Sequence, residues 1–311
     1  MKSIGGYFEL ECGQTPLYYK DGIYLNLCRS ALRYFIRALG IKKIHIPYFT
    51  CPVVEAAILK EGCEVSKYTL TKDLLPETDI PTNDFILYNN YFGVLGENVE
   101  ALSGLYPNLI VDNAQAFFSS PRARASIYSP RKFFGLPDGG VLRGKDIPII
   151  RLDKGISIDT ISHLIKRIEL GAEKGYADFV KNDSVLDVYD LEMMSNLTRA
   201  LMGNIDYENA KEKRLKNFEY LRSHLDTDFP ISLSKDDVPL IFPLYLEHGE
   251  EVRKRLIDKH IYCAKYWPNV ENEVSKSSIE YSLIKNIIAI PIDQRYDIPD
   301  MDYILDSLKS A

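Results

Sequence analysis

Ala125 to Gly140 reads ASIYSPRKFFGLPDGG. Ala125 to Ser129 is a strand-like run, Pro130 ends the ladder, and Phe133 to Gly140 is rich in turn formers, so Lys132 is delivered just beyond a strand end. Upstream, the apolar strand Leu109-Ile110-Val111 closes on Asp112-Asn113-Ala114-Gln115. An amine and a carboxylate therefore both emerge at strand ends.

Working outward, helical and strand periods alternate from Tyr24 to about Gly144. Ala31-Leu32, Phe35-Ile36 and Leu39 recur at helical spacing and stop at Gly40, a C-cap. Lys43 to Pro47 is a short strand, Cys51 to Gly62 helical, Glu64 to Leu70 and Asp84 to Tyr91 extended, and Asn98 to Leu105 helical. Strands separated by helices predict parallel pairing with right-handed crossovers, and in such sheets ligands collect beyond the carboxyl ends of the strands. Thr50, Asn90, Asp112 and Ser129 all fall there.

Further on, Ile161, Leu164, Ile165 and Ile168 predict a long helix over Gly155 to Leu170, and Asp183 to Gly203 reads as a less regular connection. Asp206 to Leu225 is a charged helix with Phe218, Leu221 and Leu225 on one face. Leu240 to Leu246, Glu250 to Lys259, Ile261 to Ala264, Ile287 to Pro291 and Met301 to Leu308 then alternate extended and helical. The expectation is an α/β protein with a large domain over 1–200, built on a mainly parallel sheet flanked by helices, and a smaller C-terminal α/β domain over 201–311.

A chain of 311 residues, 46% hydrophobic, can bury a substantial core. A net charge of -6 with no long Lys/Arg run leaves no electrostatic footprint for nucleic acid or an anionic membrane, and points to small soluble substrates. The five cysteines, Cys12, Cys28, Cys51, Cys63 and Cys263, show no CxxC spacing, which argues against zinc and a disulfide framework and for a reducing cytoplasm. The amino terminus lacks a signal-peptide run, and no stretch approaches the roughly 20 apolar residues of a membrane span. Neither GxGxxG after an early strand nor a P-loop is present, and the five histidines lack metal-ligand spacing. No metal is expected.

The residues that remain fit pyridoxal phosphate (PLP), which requires a lysine to hold its aldehyde as a Schiff base, an acid against the pyridine nitrogen, and a donor-rich cradle for its phosphate. Lys132 is the candidate amine and proton carrier, and Asp112 the candidate acid, its pKa lowered by a nearby positive charge. The start of the first helix, Cys28-Arg29-Ser30-Ala31, offers backbone N–H groups, a hydroxyl and a guanidinium to the phosphate. Ser129 adds a hydroxyl, Gln115 reaches for the ring hydroxyl, and Thr50 lies at another strand end. Singly, each has a plainer reading: Asp112 as a turn former, Lys132 and Arg29 as solvated charges, Ser129 and Gln115 as partners of nearby backbone. Their order carries more than their identities.

That order, CRSAL (Cys28 to Leu32), IPYFTCPVV (Ile46 to Val54), NNYFG (Asn89 to Gly93), VDNAQA (Val111 to Ala116) and SPRKFFGLPDGG (Ser129 to Gly140), resembles the DegT/StrS-type sugar aminotransferases, fold-type I PLP enzymes. NAKEKRLKNFEYL (Asn209 to Leu221) looks like the family's basic helix leading into the small domain. The resemblance implies an Asp-x-x-Gln pair at Asp112 and Gln115, a Schiff-base lysine at Lys132, a homodimer with the active site at the subunit interface, and transfer of an amino group from glutamate to a keto sugar carried on a nucleotide. Cys28-Arg29-Ser30 stands where the family usually has Ser-Gly-Thr. Cys51 follows Thr50 where an aromatic commonly stacks on the ring, leaving Tyr48, Phe49 or Tyr91 to cover it. Ile127 aligns with the family's phosphate serine, leaving Ser126 or Ser129 for that role. Two alternatives stand beside this reading: a non-catalytic sensor that kept the fold, and a PLP enzyme acting on an amino acid.

Overall fold

The computed structural model describes residues 4–13 and 15–309. The first part of the chain runs β1 (Ile23–Leu25), α1 (Cys28–Leu39), β2 (Lys43–Pro47), α2 (Pro52–Lys60), β3 (Glu64–Tyr68), β4 (Phe85–Asn89), α3 (Gly96–Leu105), β5 (Leu109–Asn113), β6 (Ala125–Tyr128) and β7 (Gly140–Gly144). These strands form one sheet in the order β1-β7-β6-β5-β4-β2-β3. β3, β2, β4, β5 and β6 are parallel, while β7 runs antiparallel to both β6 and β1. The mainly parallel α/β sheet expected from the periodicities is thus present, with an antiparallel edge.

The apolar runs of β2, β4 and β5 are covered on both faces, as parallel strands require. Ile44, Ile46, Leu87, Ile110 and Ile127 pack with Ala31, Leu32 and Phe35 of α1 and Val54 and Ile58 of α2. Ile86, Tyr88, Leu109, Val111 and Tyr128 face the other way, toward Val99 and Leu102 of α3 and a large aromatic cluster. Helix α1 ends at Gly40 in the left-handed region (φ 62°), its N–H bonded to the Ile36 carbonyl, as the sequence predicts.

Beyond β7 come α4 (Ser162–Leu170), α5 (Ala172–Asp187), α6 (Asn196–Met202), α7 (Tyr207–Arg222), β8 (Ile241–Tyr245), α8 (Gly249–Asp258), α9 (Ile279–Asn286), β9 (Ile287–Pro291) and α10 (Ile298–Lys309). β8 and β9 pair antiparallel as a second sheet, packed against α7 and α8. Two expectations need correction. The helix predicted from Gly155 starts only at Ser162, because Gly155 donates its N–H to the Met193 carbonyl (2.8 Å) and is tied up in a backbone bridge region. The stretch from Asp183 to Gly203 is more regular than predicted, since α5 runs through to Asp187 and α6 follows, capped by the Ser195 hydroxyl. Helix α9 was not read from the sequence at all. Among the described residues no helix is long and apolar enough to cross a membrane.

Candidate active site

Parallel register sets the site. Asn89 of β4 pairs with Asp112 of β5, and Asp112 with Ile127 of β6, so the polar residues that close these strands are brought to one edge of the sheet. Asp112 shares the sheet face of Ile127, the side covered by α1. Its Oδ1 accepts the Ala114 N–H at 2.8 Å, and Oδ2 has no hydrogen-bond partner among the described residues.

Lys132 lies in a short turn, Pro130–Lys132, whose backbone is fixed by the Lys132 N–H on the Ser129 carbonyl (3.2 Å) and the Phe133 N–H on the Pro130 carbonyl (3.0 Å). Its side chain is exposed, with no ion pair or hydrogen bond among the described residues. Burial raises the Asp112 carboxyl, while the Lys132 ammonium and the Ala114 N–H pull it down. The Lys132 ammonium lowers Asp112 in the direction the sequence reading expects, but desolvation is the larger effect and leaves the carboxyl raised on balance. The Cys28 thiol reports the same neighbourhood, pushed up first by burial and then by Asp112, and pulled down by Lys132. The first turn of α1 thus feels the charge of both groups.

That turn is open. Leu27 precedes α1 in extended geometry with no side-chain cap, and no acidic residue stands in the first turn, so its leading N–H groups are uncapped. Gly140 makes the close approach possible, since a Cβ there would lie 2.0 Å from the Leu27 carbonyl oxygen and 2.6 Å from the Cys28 nitrogen. Ser30 is buried at the base of the turn. Arg29, expected to face the phosphate, instead bonds Asp187 of α5 at 2.7 Å.

Ser129 is buried in extended backbone just past β6. Ser126 pairs with Val111 and shares its face, the one away from α1, which leaves Ser129 as the hydroxyl on the cradle side. Gln115 is 3% exposed; its Oε1 accepts the Phe92 N–H at 2.9 Å, and its Nε2 is buried with no partner. Thr50 is buried, its hydroxyl 3.4 Å from Asn89 Oδ1.

Of the aromatics expected to cover a ring, Phe49 and Tyr91 are ruled out: at 1% and 0% exposure they stack on each other at 5.5 Å and pack against Trp267 inside the core. Tyr48 remains partly accessible, with Lys67 5.7 Å from its ring centre.

Asp138 was missed, because Leu-Pro-Asp-Gly-Gly reads as turn chemistry. It is 1% exposed, and its carboxylate accepts the hydroxyls of Ser157 and Thr198, which ties the loop after Lys132 to the start of α6. Burial holds its pKa up against those two hydroxyls and Arg131. No signal at its own position separates this role from a turn former.

The fold is one adopted by solved aminotransferases. TlmJ from Streptoalloteichus hindustanus, an aminotransferase, superposes with a TM-score of 0.65 at 15% identity, over 93% of this chain and 85% of that one. CalS13 from Micromonospora echinospora, a sugar aminotransferase, gives 0.61 at 14% identity over 93% and 87%. NtdA from Bacillus subtilis, solved with bound PMP, gives 0.62 at 14% identity over 93% and 72%. No family model and no curated protein matches the chain.

Proposed function

We propose that the protein is a PLP-dependent aminotransferase that moves an amino group from glutamate to a keto sugar carried on a nucleotide. The observation that carries the reading is the convergence of an unpaired lysine amine (Lys132), a half-buried carboxylate (Asp112) and an uncapped helix start (α1) at the carboxyl edge of a sheet shared with solved aminotransferases. The residues fit the cofactor: the orphaned Gln115 Nε2 is a donor awaiting an oxygen, and the α1 turn is a cradle that a side chain on Gly140 would fill.

When bound, PLP supplies an electron sink for the substrate carbon. Lys132 Nζ would hold the cofactor and, once released, carry the proton between substrate and cofactor. Asp112 would keep the ring nitrogen protonated, Gln115 Nε2 would donate to the ring hydroxyl, and Thr50 would line the same strand edge. The N–H groups of Cys28, Arg29 and Ser30, with the hydroxyls of Ser30 and Ser129, would bind the phosphate; for Arg29 to add its guanidinium it must leave Asp187.

The reading extends to a large PLP-binding domain over 1–200 and a small one over 201–311, a homodimer, and a cytoplasmic setting. Exposed apolar side chains on the α4–α5 hairpin, Ile165, Ile168, Tyr176 and Val180, support self-association. Adding glutamate to the PLP-loaded protein is the test. Conversion of the cofactor to its amine form, and amine transfer to an added keto sugar, are expected; no conversion with any amino donor would refute the proposal. Sedimentation at micromolar concentration is expected to give twice the monomer mass.

A further inference from the structure

Arg214 of α7 is 1% exposed, and each of its hydrogen bonds ends on a neutral oxygen. Nε donates to Gln294 Oε1 (2.9 Å), Nη1 to the carbonyls of Leu240 (3.1 Å) and Pro239 (3.4 Å), and Nη2 to the carbonyl of Phe133 (3.3 Å). The guanidinium also lies 4.5 Å from the centre of the Phe133 ring. No carboxylate lies within ion-pair distance of it among the described residues. A cation kept in the interior with no carboxylate bonded to it, Asp293 acting only through space, is costly, and a planar fork of donors is the geometry that holds several carbonyls in fixed relation.

What it holds is the residue after Lys132. The Phe133 carbonyl receives a second donor, Gln294 Nε2 at 2.8 Å, so both bonds to it come from elements around the second sheet. On its other side the same peptide segment is pinned by the Ser129 and Pro130 carbonyls. The fork reaches a second part of the site as well. Leu240, whose carbonyl accepts Arg214 Nη1, donates its own N–H to the Phe92 carbonyl (2.8 Å), and the Phe92 N–H binds Gln115 Oε1.

We propose that Arg214 is a positioning residue: with Gln294 it fixes the backbone that carries Lys132, and through Leu240 and Phe92 it ties that backbone to Gln115, so that the elements around the second sheet set where the amine stands. This rests on the aminotransferase reading above. It concerns the placement of Lys132, not the identity of the substrate.

The test follows PLP uptake by the cofactor-free protein through three readouts: the rate at which the visible band of lysine-bound cofactor appears, the pH midpoint of that band, and the unfolding midpoint before loading. Gln294→Met removes one donor to the Phe133 carbonyl and, with it, the acceptor of Arg214 Nε, while the guanidinium keeps its bonds to the Leu240, Pro239 and Phe133 carbonyls; it is the decisive variant. It is expected to fold with a modestly lower unfolding midpoint, because Arg214 Nε loses its acceptor, to form the band about tenfold more slowly, and to shift its pH midpoint. Arg214→Lys, which cannot reproduce the fork, is expected to fail to restore either property. A folded Gln294→Met variant with unchanged band rate and pH midpoint overturns the proposal, whatever becomes of Arg214 variants that do not fold. An unsubstituted protein that forms no band overturns the functional reading, and this inference with it.

Discussion

Gly140 and Leu27 meet backbone to backbone: a Cβ on Gly140 would lie 2.0 Å from the Leu27 carbonyl oxygen, closer than any atoms can rest. The contact joins the first residue of β7 to the residue that opens α1. Gly140→Ala must push the two apart. We expect a loss of about 3 kcal/mol in chemical denaturation and weaker PLP uptake, because the cradle itself is displaced. Gly104→Ala in α3 is the control, since nothing lies within 4 Å of its added carbon; there we expect a gain of about 0.5 kcal/mol.

Asp112 is costly to the protein without its cofactor. Its carboxyl is raised by burial, so its contribution to stability is fully present below the unfolded value of about 3.9 and is lost as pH rises through the folded value. Asp112→Asn is therefore expected to stabilise the cofactor-free protein at pH 7, with the gain vanishing near pH 4. Cofactor function should fall sharply in the same variant. Thermal unfolding across this pH range, beside amine-transfer rates, checks both; a destabilised variant at pH 7 would contradict the desolvation argument.

Glu61 titrates in the opposite sense. Burial raises it, but the Arg37 and Arg33 hydrogen bonds (2.6 to 3.0 Å) outweigh that and hold its pKa lowered. Its stabilising contribution is present above the unfolded value of about 4.3 and is lost as pH falls through the folded one. Glu61→Gln strands the buried Arg33, which keeps only the exposed Asp190, and is expected to cost about 2 kcal/mol at pH 7. Denaturation at pH 7 and pH 3 should show the difference closing on acidification.

Much of the parallel sheet was legible because β4 and β5 are apolar runs that close on polar residues, Asn89 and Asp112-Asn113, while Thr50 and Ser129 follow the ends of β2 and β6. The antiparallel edge was not legible, since β1 pairs with β7 across more than a hundred residues and neither strand announces its partner. Phe49 and Tyr91 sit beside strand ends as a ring cover would, yet their burial is decided by Trp267, far along the chain. Arg29 was readable as a cation at a helix start, but not its capture by Asp187. Arg214 reads as one more charge on a basic helix; only the fold shows that it points inward.

The account stands on Lys132 as the amine that takes the cofactor. Loading the protein with PLP, reducing with borohydride and mapping the labelled peptide by mass spectrometry tests this directly. The cofactor mass is expected on the peptide containing Lys132 and absent from a Lys132→Ala variant. Label on another lysine, or equal labelling of the variant, would contradict it.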